Sequence, residues 1–162
     1  TLWHTLSLHD ALPISGQRWY SRSHYVPELS DEAIAVFIKN ASVMKGSLTF
    51  AYFGLDNGAM IQREIQATAY PHRESAWAFH ILAGWTDPAE DVAVKGWVRA
   101  FHQEMEPFAF GRIYVNLLAE DEPHRVDDAY GGNYQLLAAL KQAWDPDNLF
   151  RGNHNIPPGL PR

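Results

Sequence analysis

The sequence contains no cysteine. That excludes a disulfide framework, a thiolate metal site and a cysteine nucleophile, and it leaves the redox compartment open. Nor is there any run approaching the roughly 18 to 20 apolar residues that span a bilayer, so no membrane partner is expected. Positive charge is scarce, with 13 Lys and Arg against 19 Asp and Glu for a formal net charge of -6. The acids are scattered rather than gathered into a tail, which disfavours attraction to nucleic acid or anionic lipid. A phosphate-cradling G-x-G-x-x-G or Walker-type loop is also missing, so any nucleotide must be held mainly elsewhere. The eight histidines show no H-x-x-x-H spacing and no carboxylate cluster with zinc spacing, and no metal site is expected.

What is present is a chain able to build a core: 162 residues, 46% hydrophobic and 20% charged, in the range of one folded domain. Thr1 to Ser15 superficially suggests a signal peptide, but it lacks a cationic start and His9 and Asp10 interrupt its apolar run. Thr5 to Ile14 resembles the translation of a common sequencing-adaptor oligonucleotide, and residues 1–15 are set aside as an expected artefact of a truncated reading frame.

Ser30 followed by Asp31 and Glu32 reads as a helix cap, with Ile34, Phe37 and Ile38 on one helical face. Ser47 to Phe53 alternates aromatic and apolar residues with smaller ones and reads as a strand. Asp56-Asn57-Gly58 has turn chemistry, so Ala59 to Ile65 is expected to return as the second strand of a hairpin. Trp77 to Trp85 is a long strand with both faces mostly buried. Asp87-Pro88 starts a helix whose stripe is Val94, Trp97, Val98, Phe101 and Met105, an ordinary core face, and Pro107 ends it. Gly111 to Leu118 reads as a third strand. Asn133 opens a last helix with Leu136, Leu137, Leu140 and Trp144 facing inward, stopped by Asp145-Pro146. The fold class expected is α+β, an antiparallel sheet covered by helices.

Three segments in order carry a family resemblance. Asn57-Gly58-Ala59-Met60 followed by Ala69-Tyr70-Pro71-His72-Arg73 is one. Tyr114-Val115-Asn116 is the second. The third runs from Tyr130-Gly131-Gly132-Asn133-Tyr134 through Leu137, Leu140, Lys141, Asp145-Pro146, Asn148 and Phe150-Arg151 to Asn155-Ile156-Pro157. Each is weak alone; in this order and spacing, over about residues 19–158, they resemble the substrate-side and C-terminal regions of berberine-bridge-enzyme-like oxidases, in the vanillyl-alcohol-oxidase group of flavoproteins.

The resemblance implies the substrate-side part of a two-domain FAD-dependent oxidoreductase that oxidises alcohols, sugars or amines by hydride transfer to the flavin. Residues 16–122 correspond to a partial substrate-binding domain, and 123–162 to a C-terminal helix and tail returning toward an N-terminal FAD domain. Without that partner the chain is expected to be inactive. The expected partners are therefore a small-molecule substrate and the FAD domain.

Tyr114 and Asn116, two apart on the expected strand, would share a face and could hydrogen-bond one edge of a planar ring; the plainer reading is a packed aromatic beside a backbone-satisfied asparagine. Leu117 departs from the family, many of whose members have a base tyrosine there, and leucine cannot accept a proton. His80 is the replacement candidate for a general base because imidazole titrates near neutrality, although a core histidine is the competing reading. Gln62, Ala78 and Leu117 are candidate substrate contacts, with solvent exposure the alternative for Gln62. Asn153 and Asn155 are candidate FAD contacts, or cap a turn. His72-Arg73 is read as structural, with Arg73 pairing a carboxylate or carbonyl groups. Two rival functions remain, a stand-alone α+β module for a small hydrophobic ligand and an interaction domain with no small-molecule site.

Overall fold

The stretch between Gly16 and Pro27 has aromatic residues and no internal glycine or proline, and it forms the first strand, β1 (Arg18–Val26). In the computed structural model, which describes residues 16–74, 76–119, 121–152 and 154–159, two further strands follow, β2 (Phe50–Asp56) and β3 (Ala76–Trp85). The residues set aside at the N-terminus lie outside the described part. The sheet order is β1-β3-β2 and both pairings are antiparallel. The long apolar strand is therefore central, as its two-sided burial requires.

Helix α1 (Asp31–Ala41) starts where Ser30 accepts the Ala33 N–H at 3.2 Å, with Asp31 and Glu32 in the positive first turn. Helix α2 (Asp91–Met105) buries all five residues of its expected stripe. Both helices lie on one face of the sheet. Their core with Val26, Phe79, Ile81, Ala83 and Trp85 is closed by Phe37, whose ring meets Phe53, Phe79 and Phe101 at 4.9, 6.0 and 5.6 Å. The Asp91 carboxylate takes hydrogen bonds from Arg18 at 2.5 and 2.7 Å and from the Trp85 indole at 2.7 Å, pinning the start of α2 to both long strands. Gly46, at φ +84°, and Gly84 make a close crossing before β2: a Cβ on Gly46 would lie 2.6 Å from the Gly84 carbonyl oxygen, and one on Gly84 would lie 2.8 Å from the Trp19 ring.

Four expectations are corrected. Ala59 to Ile65 is not a return strand; it contains 3₁₀ turns at Gly58–Met60 and Ile65–Ala67, and β2 pairs with β3 instead. Gly111 to Leu118 is not a strand either, with only a 3₁₀ turn at Val115–Leu117. In α1 the inward face is Ala33, Val36, Phe37 and Asn40, leaving Ile34 and Ile38 exposed, because Phe37 and Asn40 have the partners on β2, β3 and α2. After a short helix, α3 (Val126–Tyr130), the last helix α4 (Tyr134–Trp144) buries only Ala138, while Leu136, Leu140 and Trp144 are exposed. An apolar stripe shows which side of a helix seeks cover, not what supplies it.

Candidate active site

The strand period of two places alternate residues on the second face of the sheet, opposite α1 and α2. Cross-strand pairs there are Tyr25 with Ala78, Ser23 with His80, and Tyr52 with His80. One end of this face is crossed by the irregular segment after α2, held by the Phe110 N–H to the Tyr25 carbonyl at 3.2 Å. His72 Nε2–H donates to the Ile113 carbonyl at 2.9 Å and fixes the same segment from the other side. A hollow of about 510 Å³ remains, lined by Tyr25, Asp56, Met60, Tyr70, Arg73, Ala78, His80 and Tyr114.

Three of the candidate residues converge on or beside this hollow. His80 and Ala78 sit on its floor and Tyr114 on its wall. Asn116 is brought to Tyr114 by the 3₁₀ turn rather than by strand alternation, and its Nδ2 donates to the Tyr114 hydroxyl oxygen at 2.7 Å. The Tyr114 hydroxyl proton is thus left to point elsewhere. Gln62 is exposed on a turn and does not line the hollow, and Leu117 is buried, its carbonyl facing the Ser21 hydroxyl at 3.5 Å. Asn155 has a buried side-chain oxygen with no partner among the described residues, and Asn153 lies outside them.

Burial pushes the His80 imidazole down to about 4, against a small opposing pull from the Asp56 charge. It is neutral at pH 7, and its buried Nδ1 has no hydrogen-bond partner among the described residues. Tyr52 flanks it with ring centroids 5.0 Å apart. His72 and Arg73 are structural in their contacts. Burial lowers the His72 pKa, and Arg73 donates to the Met60 carbonyl at 2.8 Å and to the Thr68 hydroxyl, its guanidinium lying 5.0 Å over the Tyr70 ring.

Three lining groups were not singled out from sequence: Tyr25, Tyr70 and Asp56. The Tyr25 and Tyr70 hydroxyls are 2.8 Å apart, and the Tyr70 hydroxyl donates to Asp56 Oδ2 at 2.7 Å. Burial raises both phenols well above their ordinary range, with the hydrogen bond to Tyr70 adding to the effect on Tyr25. Tyr70 lay in a quoted motif, Asp56 was absorbed into a turn signal, and Tyr25 had only the strand pattern around it.

A larger hollow, about 610 Å³, lies by Arg22, His24, Arg99, His102 and Arg125. Its charges are already paired: Arg22 with Asp121 and Glu122, Arg99 with Asp121, Arg125 with Glu122 and Asp128. Size alone does not make it the site, because its cations are spent on internal partners.

The hollow presents the Tyr114 phenol, to which exposed Asn116 is hydrogen-bonded, and a His80 nitrogen with no partner among the described residues. The fold is an α+β domain with a hollow on one face of its sheet. Residues 113–157 match the family model "Berberine and berberine like". An FAD-linked oxidoreductase of Bacillus subtilis is 27% identical over 132 residues, covering 80% of this chain and 29% of its own length. Berberine bridge enzyme-like C-1 of Nicotiana tabacum is 29% identical over 174 residues, covering 86% and 30%. The solved structure of Physcomitrella patens BBE-like 1 superposes with a TM-score of 0.77 at 26% identity, covering 91% of this chain and 32% of that one. The chain is similar to berberine-bridge-enzyme-like proteins, and it spans about 30% of the length of these curated relatives.

Proposed function

We propose that this chain is the substrate-side part of an FAD-dependent oxidoreductase acting on an alcohol, sugar or amine. The supporting observation is the hollow on the sheet face opposite the two helices, where His80, Ala78 and Tyr114 meet beside a polar pair suited to a ring edge. FAD, when bound, supplies the acceptor for a substrate hydride. Tyr114 and Asn116, with Asn155 and Asn153 from the tail, are the proposed cofactor contacts. Ala78 is a proposed substrate contact; Gln62 and Leu117, exposed and buried respectively, would need a different placement to serve as such.

Neutral His80 can accept a hydrogen bond from a substrate hydroxyl and orient it, but a group titrating at about 4 holds a transferred proton poorly near neutrality. It is a proposed orienting group and a weak base. Residues 16–122 form the proposed substrate domain, and 123–162 the helix and tail that meet the FAD-binding portion. The exposed Leu136, Leu140 and Trp144 of α4, followed by exposed Leu149 and Phe150, support that assignment.

The test is spectroscopic. The intact protein bearing this chain should be yellow, and its flavin absorption should bleach anaerobically with an alcohol, sugar or amine from a substrate panel. The 162-residue chain alone should retain no flavin through gel filtration. A colourless intact protein without affinity for FAD overturns the reading and favours a stand-alone small-ligand module.

A further inference from the structure

Strand β2 ends at Asp56, whose Cα partner is Ala76, and the next two residues leave the sheet. They are Asn57 and Gly58, the only place in the sequence where a glycine follows an asparagine, and both are exposed. With no strand partner, the Gly58 N–H turns back to the side chain of its own neighbour and donates to Asn57 Oδ1 at 2.7 Å. That contact holds the amide carbon Cγ, one bond from Oδ1, beside the Gly58 nitrogen. Gly58 has φ +66° and nothing lies within 4 Å of where a Cβ would stand, so no side chain comes between the nitrogen and that carbon.

We propose that Asn57 is a self-modification site, where the Gly58 backbone nitrogen closes a cyclic imide on the Asn57 side chain and water opens it to aspartate or isoaspartate. The inference is independent of the oxidoreductase reading. In the first step the Gly58 N–H gives its proton to hydroxide and the nitrogen forms a bond to Asn57 Cγ. The Cγ–Nδ2 bond breaks, and the departing nitrogen takes a proton from water to leave as ammonia. Water then adds to one of the two imide carbonyl carbons. Breaking the new N–Cγ bond gives aspartate in the original backbone. Breaking the bond from that nitrogen to the Asn57 backbone carbonyl carbon gives isoaspartate, whose chain runs through Cβ and Cγ and is one methylene longer. One amide and one water become one carboxylate and one ammonium ion, and nothing is oxidised or reduced.

Other asparagines lack this combination. Asn40 is buried, and its Nδ2 donates to the Val36 carbonyl at 3.0 Å and to the Glu104 carboxylate at 2.9 Å. Asn133 is buried as well, with its Nδ2 donating to the Ile65 and Thr68 carbonyls at 2.7 and 3.0 Å. Asn116 is exposed but is followed by Leu117, whose side chain crowds the nitrogen that would have to attack. The place of Asn57 gives the change a consequence. Asp56 before it and Met60 after it both line the hollow on the open sheet face. Asp56 accepts the Tyr70 hydroxyl at 2.7 Å, and the Met60 carbonyl accepts Arg73 at 2.8 Å. Conversion therefore sets a second carboxylate beside Asp56, and isoaspartate lengthens the link between two residues of the rim.

Two measurements test it. The 162-residue chain, folded in one sample and unfolded in urea in another, is held at mildly alkaline pH and mapped over time by peptide mass spectrometry, with isoaspartate labelled by an isoaspartyl methyltransferase. In the folded chain Asn57 should convert to a mixture of aspartate and isoaspartate ahead of every other asparagine, and faster as hydroxide rises. Its rate should lie within about tenfold of that in the unfolded chain. Gly58→Ala and Asn57→Gln should each slow loss of the amide by about tenfold or more, the first by crowding the nitrogen and the second by requiring a larger ring; Asn57→Gln leaves the backbone of the turn free of the strain an alanine meets at φ +66°. A folded-chain rate further below the unfolded one means that the fold protects the pair and overturns the proposal, as does equal conversion at the other asparagines. In NMR spectra of the converted chain the amide signals of Asp56 and Met60 should move while that of Phe79 in the helical core stays. Unmoved signals at both rim residues overturn the effect on the hollow.

Discussion

The two faces of the sheet are made by neighbouring residues of the same three strands and have opposite properties. Phe79 points under α1 and α2 and is fully buried among aromatic rings, whereas His80 points the other way into a polar hollow. On the helical face the rings interlock, with Phe79 centred 5.0 Å from Phe101 and 5.3 Å from Phe53. On the other face Phe50 and Tyr52 remain 43% exposed each, and His80 and Tyr25 border a hollow. The difference teaches that one face was shaped to hold the chain together and the other to meet something outside it. Because the period is two, single substitutions can address one face without the other.

The largest effect is expected where packing is complete. Phe79→Ala should lower the unfolding free energy by about 3–5 kcal/mol, the transfer loss plus the cavity left between two helices and a sheet. Chemical denaturation of both chains measures it. A loss under about 1 kcal/mol would mean that the helical face is not a rigid core.

Acid should attack both faces, and between pH 6.5 and 5.0 each histidine should cost less than that core cavity. His24 is held down to about 3, by burial first and then by His102, while burial followed by Arg22 holds His102 down to about 4; His80 on the open face is also held at about 4 by burial. The two rings of the pair stack at 3.7 Å, and each donates Nε2–H to a backbone carbonyl of the opposite segment. Folded-state values below the unfolded value near 6.5 mean that the unfolded chain binds more protons. The stability these neutral histidines contribute is fully present above pH 6.5 and is lost as pH falls toward 4, at about 1.4 kcal/mol per pH unit for each. Denaturation at pH 6.5 and 5.0, where most carboxylates are still ionised, reads mainly this slope. His80→Asn should remove only the share of the open face, and a flat profile in the unmodified chain would show that the histidines are not buried as described.

Much of the closed face was legible in sequence and little of the open one. The α2 stripe, the Ser30 cap and the Asp145-Pro146 stop are local patterns, and each formed where local chemistry put it. The partner of β2 was not local. Asp56-Asn57-Gly58 reads as a hairpin turn, but Asn57 Oδ1 accepts the Gly58 N–H at 2.7 Å and Gly58 opens a 3₁₀ turn, so the strand pairs only with residues from Ala76 onward. The segment 111–118 has the composition of a strand, yet its carbonyls at Ile113 and Leu117 face the side chains of His72 and Ser21 in place of a ladder. The candidate site shows the same limit. His80 and Tyr114 could be picked out by residue type and motif, whereas the Tyr25–Tyr70–Asp56 line exists only once three distant segments are folded together.

The smallest effect on stability is expected at Phe50 and Tyr52, and it sharpens the comparison most. Their rings stack with each other at 6.1 Å and lie across the sheet from the helical core, with nearly half of each surface open. A side chain that keeps much of its apolar area in water gains little from folding, since stabilisation scales with area removed from solvent at about 25 cal/mol per Å². Phe50→Ser and Tyr52→Ser should each change the unfolding free energy of the 162-residue chain by less than about 1 kcal/mol, well below the usual cost of deleting a fully buried ring. In the intact protein the same substitutions should weaken substrate binding, seen as a rise in the substrate concentration needed for half-maximal flavin reduction, if this face is where the substrate lies. A loss in the isolated chain as large as that of Phe79→Ala would mean that the second face is also a core, and the distinction between a holding face and a meeting face would fail.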